Sequence, residues 1–125
     1  MGAEERSSLY EKYGGAPTIS RVVHVFYSKV MRSEELRPFF AQVNMEQVMQ
    51  HQIDLFSHLM GGPIRFEMSR LEHGHRNLAI QNHHFDEVAE LLGETLEEAG
   101  VELVDVEFLL KILEGARSMI VRTQE

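Results

Sequence analysis

Apolar side chains recur along most of this chain at the three- and four-residue spacing of an amphipathic helix, and nowhere in the strict alternation of a strand. Ile19, Val22, Val23, Phe26, Tyr27, Val30 and Met31 form the first long stripe, with Pro17 where an opening helical turn tolerates it. A second runs from Met45 to Met60 through Val48, Met49, Gln52, Leu55, Phe56 and Leu59, and Gly61-Gly62-Pro63 ends it. The third carries Phe85, Val88, Ala89, Leu92, Leu96 and Ala99, with Asn82 predicted as its N-cap and Gly100 as its stop. The fourth is predicted as one helix from Val104 to Val121, through Leu109, Leu113, Ala116 and Ile120. Two segments break the pattern. Between Ser33 and Asn44, Pro38-Phe39-Phe40 predicts a short helical turn and a bend, and Ile64 to Ile80, with Gly74 inside, reads as a loop containing one short helix.

With no repeats, low-complexity tracts or linkers, the 125 residues are expected to form a single all-α domain, residues 1–7 being a loosely ordered segment. A domain of this size buries roughly two-thirds of its unfolded surface and can fold without covalent staples. The absence of cysteine removes disulfide scaffolds, thiolate metal sites and a cysteine nucleophile. Twelve basic against twenty acidic side chains give a formal charge of −8, the wrong sign for neutralising phosphates. Nucleic acid and membrane are therefore not expected partners. The run from Asp86 to Glu114, rich in acidic residues, reads as a solvated outer face. At the N-terminus there is no apolar stretch, and Arg6 stands where a myristoylation motif after Gly2 needs Ser or Thr. No apolar run approaches the eighteen or so residues of a membrane span, so a soluble cytoplasmic location is expected.

Candidate chemistry is concentrated in seven histidines. His24 and His58 lie on amphipathic helices and read as surface or boundary residues. His83 and His84 point about 100° apart at a helix start, a poor arrangement for chelating one ion, and suit capping or solvent exposure better. His73 and His75 do not share a helix face, so if one is a metal ligand the other is not. On the second long helix Val48, His51, Gln52 and Leu55 fall within about one quadrant, placing imidazole and amide among aliphatic side chains. Tyr27 sits similarly on the first stripe. Such inward polar groups either satisfy each other and backbone carbonyls, or aim into an apolar cavity that holds a ligand. No dinucleotide fingerprint, phosphate-binding loop, His-Glu-x-x-His or Gly-x-Ser-x-Gly occurs. The single Glu-x-x-His, Glu72 to His75, is one fewer than a di-iron bundle needs.

Taken in order, several short pieces resemble the group I truncated haemoglobins. These are Leu9-Tyr10-Glu11-Lys12-Tyr13-Gly14-Gly15, Phe26-Tyr27, Pro38-Phe39-Phe40, Asn44-Met45, His51-Gln52 and Gly61-Gly62-Pro63. His75, five residues before Ile80, then His84-Phe85-Asp86 and Ala99-Gly100-Val101 complete the pattern, which runs from Leu9 to about Val121 without gaps. The resemblance implies a truncated globin fold, a two-over-two helical sandwich around haem b (iron protoporphyrin IX).

The same resemblance implies roles. His75 would be the proximal iron ligand, and Tyr27 and Gln52 the donors to a bound diatomic ligand. Phe40 would stack on the porphyrin, with Val48, Leu55, Phe56, Ile80, Phe85, Val88 and Leu92 walling the pocket. Arg65, Arg70 and Arg76 are candidates for meeting the propionates. Position 51 departs from the lysine of many members. Histidine there implies either a second iron ligand in a six-coordinate, ligand-free state or a side chain turned outward to a propionate or solvent. The implied function is reversible binding of dioxygen, nitric oxide and carbon monoxide. Nitric oxide dioxygenation is a further reaction in reach, and it needs an external reductase because the chain has no flavin or nicotinamide motif. A phenol donor would stabilise bound dioxygen by about 1.5–3 kcal/mol. The expected assembly is a monomer or weak dimer. A haem-free helical interaction or sensor module on a globin-like fold is the alternative from another class.

Overall fold

The computed structural model describes residues 8–67, 69–76 and 78–121, and among these every regular element is helical. The segment 1–7, expected to be loosely ordered, lies outside the described residues. The helices are α1 (Leu9–Lys12), α2 (Ala16–Val30), α3 (Met45–Leu59), α4 (Ser69–His75), α5 (Asn82–Glu98), α6 (Leu103–Glu114) and α7 (Arg117–Ile120), with a 3₁₀ turn over Arg37–Phe40. α2 packs against α3 and α5, and α5 packs against α6, which makes two helix pairs laid one on the other. The short α4 rests on α7.

The stripes read from the sequence face inward. Ile19, Val22, Val23, Phe26 and Val30 of α2 meet Leu92 and Leu96 of α5 and Val106 and Leu109 of α6 in the main core. A second cluster joins Leu55, Phe66, Leu71, Phe85, Ala116 and Ile120. Helix ends are defined by local chemistry. Asn44 Oδ1 accepts from Gln47 N–H at 3.2 Å to open α3. Gly100 adopts φ +92° behind α5, a conformation that resists a side chain, and Val101 N–H then reaches back to the Leu96 carbonyl at 3.0 Å. At Gly62 the constraint is space, because a Cβ there would lie 2.5 Å from the Tyr10 ring.

α1 is tied to α6 by polar groups. Tyr13 Oη donates to Asp105 and accepts from Glu102 N–H, while Lys12 Nζ lies 2.8 Å from Asp105 Oδ2. Lys12 and then Tyr13 hold the Asp105 carboxyl below its ordinary range.

Two expectations need correction. The N-cap of α5 is Gln81, whose backbone N–H donates to His84 Nδ1 at 3.0 Å. Asn82 is already helical, and its side-chain oxygen accepts from Arg117 Nη1 at 2.9 Å. The fourth stripe is also not one helix. α6 stops at Glu114 with Gly115 as C-cap, and α7 restarts at Arg117. Glycine is a weak helix former, and the break is held by Arg117, which bonds Asp86 and Glu114 and lies 4.4 Å over the Phe85 ring. Among the described residues no helix is long and apolar enough to cross a membrane.

Candidate functional site

Between the helix pairs lies a cavity of ≈ 390 Å³, a size typical of small-molecule and cofactor sites. α2 contributes Tyr27, which is buried. Its ring packs edge-on against Phe26, centroids 4.9 Å apart, and against Phe40 of the 3₁₀ turn, 5.6 Å apart. These two contacts fix the phenol's direction. Among the described residues its hydroxyl has no hydrogen-bond partner, and burial pushes its pKa up, keeping it protonated.

The inner face of α3 supplies Val48, His51, Gln52, Leu55 and Phe56 to the same cavity. The periodicity of that helix places the two polar groups among apolar ones. Neither the His51 ring nor the Gln52 amide is hydrogen-bonded to a described residue, so Tyr27 and Gln52 do not satisfy each other. α5 adds Phe85, Val88 and Leu92, with Ile80 from the stretch before it. The walls are thus mostly apolar, and the Tyr27 hydroxyl, the His51 ring and the Gln52 amide on them have no hydrogen-bond partner among the described residues.

α4 places His75 on the cavity wall, half-buried. Its Nδ1 lies 2.6 Å from the Leu71 carbonyl. A carbonyl can only accept, so Nδ1 carries the proton and Nε2 keeps its lone pair for another partner. His24 makes the same kind of bond to the Ser20 carbonyl at 2.8 Å, yet it is exposed and does not line the cavity. Bond and cavity together distinguish His75. His73 also borders the cavity but is exposed. Arg70 lines the wall too, its guanidinium 4.7 Å over the Phe66 ring.

The twelve residues expected to hold haem or its ligand all border this one cavity; of the three arginines expected near the propionates, Arg70 does so and Arg65 and Arg76 do not. Several wall residues were not singled out, among them Phe39, Phe66, Leu71, Leu109, Leu113 and Ile120. Leu109, Leu113 and Ile120 carried a helical stripe whose direction nothing in the sequence fixed, and Phe66 stands in a segment without periodicity. The expected capping or solvent role of His83 and His84 is met, since His84 Nδ1 accepts the Gln81 N–H at the start of α5 and His83 is exposed, but the two rings do not diverge. Their ring centroids are 4.0 Å apart, and both Nε2 atoms turn toward Glu35. A 100° offset on one helix turn is overcome because both rings bend toward a carboxylate brought in by another part of the chain.

The donor set fits haem. A neutral imidazole with a free Nε2 is an iron ligand, and aromatic and aliphatic walls suit a porphyrin face. The sequence points the same way: the bacterial-like globin profile matches residues 8–122, and the chain belongs to that family. The likeness is to its group 1 truncated haemoglobins. That of Tetrahymena pyriformis is 33% identical over 110 residues, 88% of this chain and 91% of that protein. Its crystal structure in the Fe(III) form superposes with a TM-score of 0.85 at 31% identity, covering 94% of this chain and 100% of that one. The 2/2 haemoglobin of a Synechococcus species, solved in the cyanomet state with covalently attached haem, gives 0.82 at 32% identity, covering 92% and 98%. The truncated two-over-two globin fold is thereby shown. Membership of the globins implies a haem cofactor and diatomic gas ligands.

Proposed function

We propose that this chain holds haem b through His75 Nε2 and binds dioxygen, nitric oxide and carbon monoxide reversibly, with Tyr27 and Gln52 as hydrogen-bond donors to the ligand. The observation that carries this reading is the His75–Leu71 bond, which leaves a free ring nitrogen in the same cavity as a buried, unpartnered phenol. Haem supplies the iron that exchanges gases and electrons.

The protein residues supply the rest. The Leu71 carbonyl fixes the tautomer and direction of His75. Phe26 and Phe40 hold Tyr27 in place before any ligand arrives, so donation costs little reorganisation. A hydrogen bond to a charge-bearing ligand contributes about 1.5–3 kcal/mol, which appears mainly as slower release. Phe40, Val48, Leu55, Phe56, Ile80, Phe85, Val88 and Leu92 provide the apolar walls, and Arg70, on the same wall, would pair with a propionate.

His51, on the cavity wall without a hydrogen-bond partner among the described residues, would be the sixth ligand when no gas is bound. Replacing it by Leu should then change the ferric and ferrous absorption spectra. Unchanged spectra return His51 to a propionate or to solvent. The reaction that suits these parts is nitric oxide dioxygenation, in which dioxygen, nitric oxide and one electron give nitrate, the electron coming from an external reductase.

The decisive experiment is reconstitution with haem, followed by absorption spectra of the ferric, deoxy and carbonmonoxy forms. A Soret band abolished in His75→Ala is expected. Protein that stays colourless would leave a haem-free interaction module.

A further inference from the structure

A second group of metal-ligating side chains lies where the chain between α2 and the 3₁₀ turn meets the start of α5. Glu35 Oε1 is 3.3 Å from His83 Nε2 and 3.6 Å from His84 Nε2, and the three ligand atoms lie within 4.8 Å of one another. We propose that Glu35, His83 and His84 bind a divalent transition-metal ion of the zinc class, independently of the haem iron. Two imidazoles and one carboxylate are a donor set for zinc, copper or nickel rather than for calcium or magnesium. Zinc bonds of about 2.0–2.1 Å in a tetrahedron set ligand atoms roughly 3.3–3.4 Å apart. The two oxygen-to-nitrogen distances to Glu35 are close to that, so the side chains need move only slightly, with water as a fourth ligand.

The electrostatics can be met locally. A cation beside the N-terminus of a helix is opposed by the helix dipole, but Glu35 brings a full negative charge. Glu87, one turn into α5, adds another, its carboxylate held by Ser33 Oγ at 2.7 Å.

Two bonds must change. His84 Nδ1 accepts the Gln81 N–H, which leaves that ring's proton on Nε2, and His83 Nε2 donates to the Glu35 carboxylate, so its proton is on Nε2 too. On binding, each ring proton moves to Nδ1, the metal takes both Nε2 lone pairs and the Glu35 oxygen, and the exposed Gln81 N–H turns to water. No net proton is released. The His84 ring also packs edge-on against Phe39, 4.8 Å away, and both border the main cavity. An ion here would therefore tie two parts of the cavity rim together.

Zinc chloride titrated calorimetrically into the haem-loaded protein, with His75 and the cavity already engaged, tests this. One equivalent should bind, and Glu35→Gln and His83→Gln should each weaken it at least about tenfold. An unaltered Soret band in both variants will show that they are folded. In the ¹⁵N spectrum of the carbonmonoxy form, the Gln81 amide should shift on zinc addition. Absence of zinc uptake, or uptake unaffected by both substitutions, overturns the proposal.

Discussion

The framework of α2, α3, α5 and α6 and the arm from Gly61 to Gln81 are built by different means. The framework has long helices, and their stripes interlock in a core where Val23, Val30, Leu96, Val106 and Leu109 are all but inaccessible. Among its described residues the arm has a single regular element, the seven-residue α4, far shorter than a helix that persists alone in water. It is anchored through Phe66 and Leu71 to the smaller cluster. Yet this arm carries His75. The lesson is a division of labour, in which the framework supplies the fold's stability and the arm would be stabilised by what His75 is proposed to hold. A cofactor bound only by the native state adds stability that grows with its occupancy, and with His75 as the proposed ligand that gain would fall mostly on the arm.

That contrast can be broken most directly at His75. His75→Ala should abolish the Soret band. Hydrogen exchange in the arm should then rise to the haem-free level while α2 and α5 keep their protection. Equal protection of arm and framework without haem would erase the distinction. Next in size, Leu96→Ala should cost about 2–5 kcal/mol, with and without haem, in urea unfolding. Leu71→Ala should cost the haem-free protein clearly less. Tyr27→Phe should speed dioxygen release roughly ten- to 150-fold in stopped-flow measurements, the counterpart of about 1.5–3 kcal/mol, and leave urea unfolding of the haem-free chain almost unchanged.

The smallest effect belongs to the α1–α6 tie. Because Lys12 and Tyr13 depress the Asp105 carboxyl, its contribution is complete above the ordinary carboxylate range and fades as pH falls through the lower folded value. Asp105→Asn should therefore melt below the parent protein at pH 7, and the gap should close in melts taken toward about pH 3.

The sequence was most legible where burial imposes a period. α2, α3 and α5 appear where their stripes place them, and the inward turn of His51 and Gln52 follows from the same wheel as Val48 and Leu55. It was least legible where distant segments decide the outcome. Asn82 has good capping chemistry, but Arg117, distant in sequence, claims its side chain and Gln81 becomes the cap. Gly115 interrupts a stripe that otherwise continues, and Arg117, two residues on, finds its partners Asp86 and Phe85 on α5. His83 and His84 diverge on a helical wheel, and nothing in their spacing announces a glutamate arriving from before the 3₁₀ turn. The identities of His75, Tyr27 and Gln52 as a set came from family resemblance, since the arm has no periodicity to orient a histidine.

The group that steers the His75 ring is a peptide oxygen from its own helical turn. Main chain is the same whatever residue stands at position 71, so drift in the gene leaves this brace intact unless it unwinds the turn. A neutral brace also withholds the extra electron density that a carboxylate would push through the ring. The grip on iron proposed for His75 would thereby be set by backbone geometry, durable across descendants and hard to tune by a single codon.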